Sequence, residues 1–150
     1  MIPVSADSVP LVNSFLAATD LTLAPADAFL WMQLDAAGQI TGTTGYELSG
    51  ANALIRSVAV RPDLRASGLG SRLAQFALDA AHGQGATTAW LFSRRSGPFW
   101  QKLGFAPAST VDLVAALPDS AQVQLFATTG QLEREVAWRR ELVESPLATA

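Results

Sequence analysis

The residues best equipped for chemistry lie in Arg65-Ala66-Ser67-Gly68-Leu69-Gly70, directly after the apolar run Leu54-Ile-Arg-Ser-Val-Ala-Val60 and the break Arg61-Pro62-Asp63. Arginine is a permanent cation whose planar fork matches a phosphate. Two glycines on the threshold of a helix let the backbone turn sharply and point several N–H groups outward. With the positive end of the helix they make an anion site suited to a pyrophosphate. Alone, the motif fits equally a plain helix N-terminus whose glycines serve packing. Composition narrows the other chemistries. There is no cysteine, so disulfides, thiol catalysis and Cys-based zinc sites are excluded. The single histidine, His82, cannot build a histidine-rich metal site, and no metal is expected.

The elements around this motif follow from periodicity and breakers. Residues 54–60 are short, apolar and β-branched, as a half-buried strand should be, and Pro62 ends the strand because it supplies no ladder donor. Residues 71–81 read as a helix with Leu73, Phe76, Ala77 and Leu78 inward and Gly83 closing it. Upstream, residues 1–4 predict a short strand. Asp7 or Ser8 then caps a helix whose apolar positions are Val9, Leu11, Val12, Phe15 and Leu16. Strands over 28–34 and 39–48 are joined by a hairpin-type turn at 35–38, and 49–52 turns the chain into 53–60. Gly42 and Gly45 permit a bulge or a close backbone approach.

Downstream, 87–92 is a buried strand and 99–103 a short helix. Residues 111–117 fit a helix or a loop, and 121–127 a strand or a loose helix. Residues 135–143 predict a closing strand with Val136, Trp138 and Leu142 on one face, while Trp31, Trp90 and Trp138 read as core. His82, at a helix end, reads as structural. Strands on both sides of a central βαβ unit predict an α/β (α+β) fold, a mixed sheet with helices on both faces.

A chain of 150 residues predicts a single domain, 1–150, with a real core. With 49% apolar and 15% charged residues, a disordered chain is excluded. A net charge of −3 without a basic run leaves no electrostatic footprint for nucleic acid. No apolar run reaches the roughly 18 residues of a membrane span, and Met1-Ile2-Pro3 lacks the basic start of a signal peptide. A cytoplasmic protein without membrane or nucleic-acid partners is expected; a homodimer is left open.

A second segment, Gly97-Pro-Phe-Trp-Gln-Lys-Leu-Gly-Phe105, stands downstream of the first motif with a helix and a strand between them. In this order the two segments resemble the signatures of the GNAT family of N-acetyltransferases, over about residues 39–105. The resemblance implies a mixed, mostly antiparallel sheet with a splayed central parallel strand pair. It implies acetyl transfer from acetyl-CoA, as cosubstrate, to a small-molecule amine by direct attack on the thioester. The implied CoA contacts are the backbone of Val58, Ala59 and Val60 toward the pantetheine, and Arg65, Ala66, Ser67, Gly68, Leu69, Gly70 and Ser71 toward the pyrophosphate. Phe99 and the short helix would lie beside the CoA arm, with Trp100 packed against CoA or the core, and a backbone N–H near Val58 would polarise the thioester carbonyl.

An ammonium acceptor must lose a proton before it attacks. The family often puts an acid on the core strand, but Leu54 and Arg56 fill the matching positions here. If 49–52 is a four-residue turn, Glu47 lies opposite Leu54 and shares a face with Leu54, Arg56 and Val58. Glu47 is therefore the candidate base, through water; it fits equally a solvated carboxylate or an ion-pair partner of Arg56. Arg56, on an inner strand face, needs a partner. That partner is either Glu47 or an acceptor carboxylate or phosphinate gripped bidentately.

Where many family members carry a tyrosine that protonates the departing thiolate, this chain has Trp100, and its only tyrosine, Tyr46, points away from Glu47. The segment from Gly45 to Val60 looks like the arsinothricin and phosphinothricin N-acetyltransferase branch, which implies a glutamate-like acceptor with an anionic head group. Arg94 and Arg95 depart from that branch; they fit a cover for the CoA phosphates, a hold on an acidic substrate (for which Arg94 is the candidate), or plain solvated loop arginines, the commonest case. The alternatives are a catalytically silent acyl-CoA-binding or sensing module, and a peptide or protein N-acetyltransferase.

Overall fold

Two compact units divide the chain in the computed structural model, which describes residues 1–19, 21–25 and 27–142. The first comprises Met1–Glu47 and Ile55–Ala77. The edge strand β1 (Ile2–Pro3) leads to helix α1 (Val9–Ala18). Ser8 is the N-cap, one of the two expected, but its side chain makes no cap bond and meets Ser5 Oγ at 3.3 Å instead. Pro10 sits in the first turn, where a missing N–H breaks no helical bond. Strands β2 (Phe29–Leu34) and β3 (Ile40–Ser49) pair antiparallel around a turn in which Gly38 takes φ +80°. Asp35 Oδ1 holds this turn by accepting from the amides of Ala37 (2.9 Å) and Gln39 (3.0 Å).

The β2–β3 register pairs Gln33 with Gly42 and Leu34 with Ile40, so Thr41 is bulged out. The bulge sorts the two faces. Leu30, Met32 and Ile40 join Val12 and Leu16 of α1 in one apolar cluster. Trp31 and Gly42 turn instead to α2 (Leu69–Gly83), where Trp31 meets Phe76 edge-on at 5.2 Å. Helices thus cover both faces of these strands. Gly42 lets α2 approach, since a Cβ there would stand 2.6 Å from Leu73 Cδ1. At Gly45 a Cβ would collide with the Phe29 carbonyl. Tyr46 is fully buried and stacked on Phe29 and Trp31, and burial pushes its hydroxyl pKa up. Helix α2 runs through Gly83, which was expected to close it; Gly85, at φ +99°, is the left-handed residue that ends it.

The second unit comprises Leu48–Leu54 and the chain from Leu78 onward. Strand β4 (Asn52–Val60) begins here and pairs in parallel with β5 (Thr88–Phe92) over three residues, Asn52–Leu54 against Thr88–Trp90. Helix α3 is Gly97–Lys102, starting two residues earlier than expected because Pro98 suits a first helical turn. Strand β6 (Ala106–Ala108), which no sequence signal announced, pairs antiparallel with β7 (Ala137–Glu141).

The two ambiguous stretches are helices, α4 (Thr110–Ala116) and α5 (Ala121–Thr129). Each opens on a serine, Ser109 or Ser120, whose hydroxyl accepts from the amide of Val111 or Val123. Their Leu113 and Val123, with Leu117, Leu54, Trp90 and Ala137, form the core of this unit. The closing strand is shorter than predicted. Val136 precedes it and is exposed, whereas Trp138 and Leu142 are buried; Val143 lies outside the described residues. Trp90 and Trp138 are core, as read from sequence, with indoles donating to Asn52 Oδ1 and the Ser93 carbonyl.

The strands follow the order β1-β2-β3-β4-β5-β7-β6 in a mixed, mostly antiparallel sheet, the predicted fold class. No helix among the described residues is long and apolar enough to cross a membrane.

Candidate active site

Glu47 and Arg56 come together as a buried ion pair. Arg56 Nη1 donates to Glu47 Oε2 at 2.7 Å, with side-chain exposures of 2% for Arg56 and 12% for Glu47. Arg56 Nη2 donates at 2.7 Å to the Leu23 carbonyl, and Nε reaches Ser57 Oγ at 3.4 Å. A guanidinium this deep is tolerated because its donors are matched by acceptors. Leu23 belongs to the segment after α1, held in turn by Asn13, whose side chain brackets the Ala24 backbone with bonds of 2.9 and 3.3 Å. Of the two partners open to Arg56 from sequence, Glu47 is the one it has.

Ser57 corrects the expected facing of β4. It sits at φ +60° in mid-strand, a conformation costly for a residue with a side chain. Its carbonyl is taken by the buried Thr43 hydroxyl at 2.7 Å. Past this irregularity the alternation slips by one. Ala59, three residues beyond Arg56, joins the α1 cluster on Arg56's side of the strand, so Val58 turns to the other face, not to that of Glu47. Ile55 to Val60 lie beyond the three-residue parallel ladder to β5.

The loop from Arg65 to Gly70 is as sharply bent as expected, but a different residue does part of the bending. Its left-handed positions are Ala66 (φ +66°) and Gly68 (φ +87°); Gly70 is already inside α2. Arg65, Ala66, Ser67 and Gly68 are exposed, Leu69 is buried, and Ser71 is exposed in the first helical turn. Ser67 ties the bend together by donating to the Leu64 carbonyl at 2.5 Å and accepting from the Leu69 amide at 3.3 Å. The remaining first-turn amides stand at the positive helix end, with the exposed Arg65 beside them.

Ahead of the loop, Arg61 pairs with Asp63 (2.7 Å) and Asp35 (2.9 Å). The Asp35 carboxyl is held below its ordinary pKa by the Gln39 amide first and Arg61 second, and that of Asp63 by Arg61. Leu23, Thr43, Ser57, Arg61 and Asp35 were all absent from the sequence-derived site. Only Arg61 and Asp35 carried any signal, as charges next to a turn and to the loop.

In the second unit, Trp100 is buried at 7% exposure, edge-on to Phe99 (4.9 Å) and Phe105 (5.4 Å). Phe99 is half-buried. Arg94 Nε lies 3.2 Å from Glu135 Oε2, while Arg95 is exposed.

The fold has known counterparts. The chain aligns with part of N-acetylglutamate synthase from Neisseria gonorrhoeae, solved with coenzyme A and N-acetyl-glutamate, at 18% identity and TM-score 0.70. That match covers 92% of this chain and 33% of the synthase, so the chain spans about a third of that protein. A Mycobacterium tuberculosis protein solved with CoA matches at 14% identity and TM-score 0.70, covering 92% of this chain and 96% of the other. The ribosomal-protein-S18-alanine N-acetyltransferase of Escherichia coli matches at 16% identity and TM-score 0.57, over 88% and 77%. A comparison with curated proteins finds no match. The family model described as the acetyltransferase (GNAT) family matches residues 6–105, two thirds of the sequence and the stretch that carries the left-handed loop and the Leu-Gly-Phe segment. The chain therefore belongs to the GNAT family of acetyl-CoA-dependent acetyltransferases.

Proposed function

We propose that this chain transfers an acetyl group from acetyl-CoA to the amine of a small molecule. One observation carries the proposal: the exposed bend from Arg65 to Gly68, with two left-handed residues, opening onto the first turn of α2. Neither residue serves a hairpin there, and a bend of this kind at a helix N-terminus is the arrangement that presents backbone amides to a pyrophosphate. Acetyl-CoA supplies the activated acyl group as a thioester. Arg65 and the backbone from Ala66 to Ser71 hold its phosphates, apart from the Ser67 and Leu69 amides, which already bond the Leu64 carbonyl and Ser67 Oγ. The backbone of Val58, Ala59 and Val60 meets its amide arm as an added strand would, with the Val58 N–H toward the thioester oxygen.

Glu47 takes the proton from the acceptor ammonium through water. Its carboxylate oxygen is engaged by Arg56, and this links the two residues in one step. An acceptor bearing a carboxylate or phosphinate exchanges with Glu47 on the Arg56 fork, releasing Glu47 Oε2 for proton removal. A glutamate-like acceptor with an anionic head group, the class implied by the Gly45 to Val60 segment, fits this exchange. Trp100 brings no acidic proton, so the thiolate leaves without help from α3; an unperturbed thiol pKa of about 8.5 makes that feasible at neutral pH.

The test has two parts. Saturating CoA should stabilise the protein by about 2.7 kcal/mol at a hundredfold excess over Kd. Gly68→Asp should abolish the effect, because it places a carboxylate and a strained φ where phosphate binds. Thiol release from acetyl-CoA is then followed over a panel of amino acids, amines and peptides. An unchanged thermal shift in Gly68→Asp would sink the phosphate-loop assignment. CoA binding with no turnover on any acceptor would favour a silent acyl-CoA-binding module, the reading that Trp100 in place of a tyrosine keeps alive.

A further inference from the structure

The turn between β2 and β3 is joined to the phosphate loop through one guanidinium. Arg61 donates from Nε and Nη2 to both oxygens of Asp63 (2.7 and 3.2 Å) and from Nη1 to Asp35 Oδ2 (2.9 Å). Its backbone is fixed as well, the N–H donating to the Thr41 carbonyl at 2.8 Å, beside the β3 bulge. Asp35 cannot drift, because its other oxygen holds the amides of Ala37 and Gln39. On the far side, Asp63 lies in the 3-10 turn Pro62–Leu64, whose Leu64 amide bonds the Arg61 carbonyl at 2.8 Å. Leu64 O then holds Ser67, and Ser67 caps Leu69. An unbroken series of hydrogen bonds thus runs from Asp35 to the first residue of α2.

All three charged side chains of this cluster are partly or largely exposed, and pairs of that kind contribute little to stability. Their geometry does more, because the loop they steady holds the left-handed Ala66. We infer that Asp35 is a positioning residue for CoA binding, acting through Arg61 on the loop that leads to Gly68, an inference that rests on the phosphate-loop reading above. Two effects of Asp35 on a polyanion have opposite signs. As a bare charge it repels the phosphates, so its removal tightens binding. As the anchor of Arg61 it keeps the loop in its binding shape, so its removal weakens binding.

Asp35→Asn separates the two. Asparagine keeps an oxygen for the Ala37 and Gln39 amides, so the turn survives while the ion pair with Arg61 is lost. Titration calorimetry with CoA should show binding about threefold to tenfold weaker than in the unaltered chain, the range of a network contact. KM for acetyl-CoA should rise in parallel, with kcat at saturation unchanged. Arg61→Lys, which keeps the charge and loses the fork, should weaken binding in the same direction. In an Arg61→Ala background, adding Asp35→Asn should change Kd by less than about twofold, as two members of one network should.

Tighter or unchanged CoA binding in a folded Asp35→Asn protein would overturn the inference, whether or not its melting temperature falls. If the unaltered chain binds CoA and Gly68→Asp does not, that failure belongs to Asp35 alone. If the unaltered chain binds no CoA, the phosphate-loop reading falls and this inference with it.

Discussion

Replacing Arg56 by lysine separates an acceptor-binding role from a purely structural one. In the folded chain Arg56 splits two short hydrogen bonds between Glu47 and the Leu23 carbonyl, both at 2.7 Å, from a side chain only 2% exposed. A lysine ammonium is a single point of charge and cannot reproduce the fork. It satisfies one acceptor and leaves the other short. A lost hydrogen bond to a charged group costs about 1.5–3 kcal/mol. At roughly 2–4 °C per kcal/mol for a chain of this size, the melting temperature should fall by about 3–12 °C.

Catalysis gives the sharper readout. If an acceptor anion takes Glu47's place on Arg56, kcat/KM for acidic amino acids should fall by on the order of 2–5 kcal/mol, the range for truncating a buried charged pair. That is about thirtyfold or more at 1.4 kcal/mol per decade. Plain aliphatic amines, which never use the fork, should change only a few-fold. The assay is thiol release from acetyl-CoA on one acceptor of each kind, with the melting temperature recorded on the same protein. Equal losses on both acceptors, alongside the fall in melting temperature, would refute the exchange and leave Arg56 as a structural partner of Glu47.

Other substitutions probe the remaining parts. Glu47→Gln keeps an oxygen for Arg56 and removes the base, so kcat should drop by roughly 10²–10⁴ with little change in CoA affinity; a rate within a few-fold of the parent returns proton removal to solvent. Gly45→Ala should cost about 1–3 kcal/mol in a chemical denaturation curve, since its Cβ meets the backbone carbonyl of Phe29 and Leu30 Cδ2 at 2.7 Å. An unaltered midpoint would contradict that contact. Ala66→Gly should raise stability by about 1 kcal/mol by relieving a left-handed alanine, with CoA binding retained. A lower melting temperature would argue against that conformation.

Local chemistry made the centre of the chain legible. Strand β4, the proline break and helix α2 each follow from the order of apolar, β-branched and breaker residues within a few positions. Gly42 and Gly45 allowed a bulge or a close approach in mid-strand; the structure has a close approach at both, and a bulge beside Gly42. Where no local preference speaks, legibility ended. Strand β6 is Ala-Pro-Ala, without alternation or bulk, and is a strand because β7 offers it a ladder. Helices α4 and α5 stayed ambiguous until their serine caps could be seen accepting backbone amides.

The sequence by itself determined the family-bearing frame: a β-branched strand, an arginine-led glycine loop, an amphipathic helix, and a candidate acid and arginine on neighbouring strands. Only tertiary structure decided how those parts face one another. Serine carries no preference for a left-handed turn in mid-strand, so the slip at Ser57 that rotates Val58 away from Glu47's side comes from long-range bonding. The Thr43 hydroxyl takes the Ser57 carbonyl from fourteen residues away. In the loop, the second left-handed residue is Ala66 and not Gly70 because the 3-10 turn and the cap at Ser67 fix the entry into α2 two residues early. Arg56 finds the Leu23 carbonyl across thirty-three residues, and Arg61 finds Asp35 across twenty-six. Pairings at that separation depend on the folded path of the chain, which no local pattern encodes.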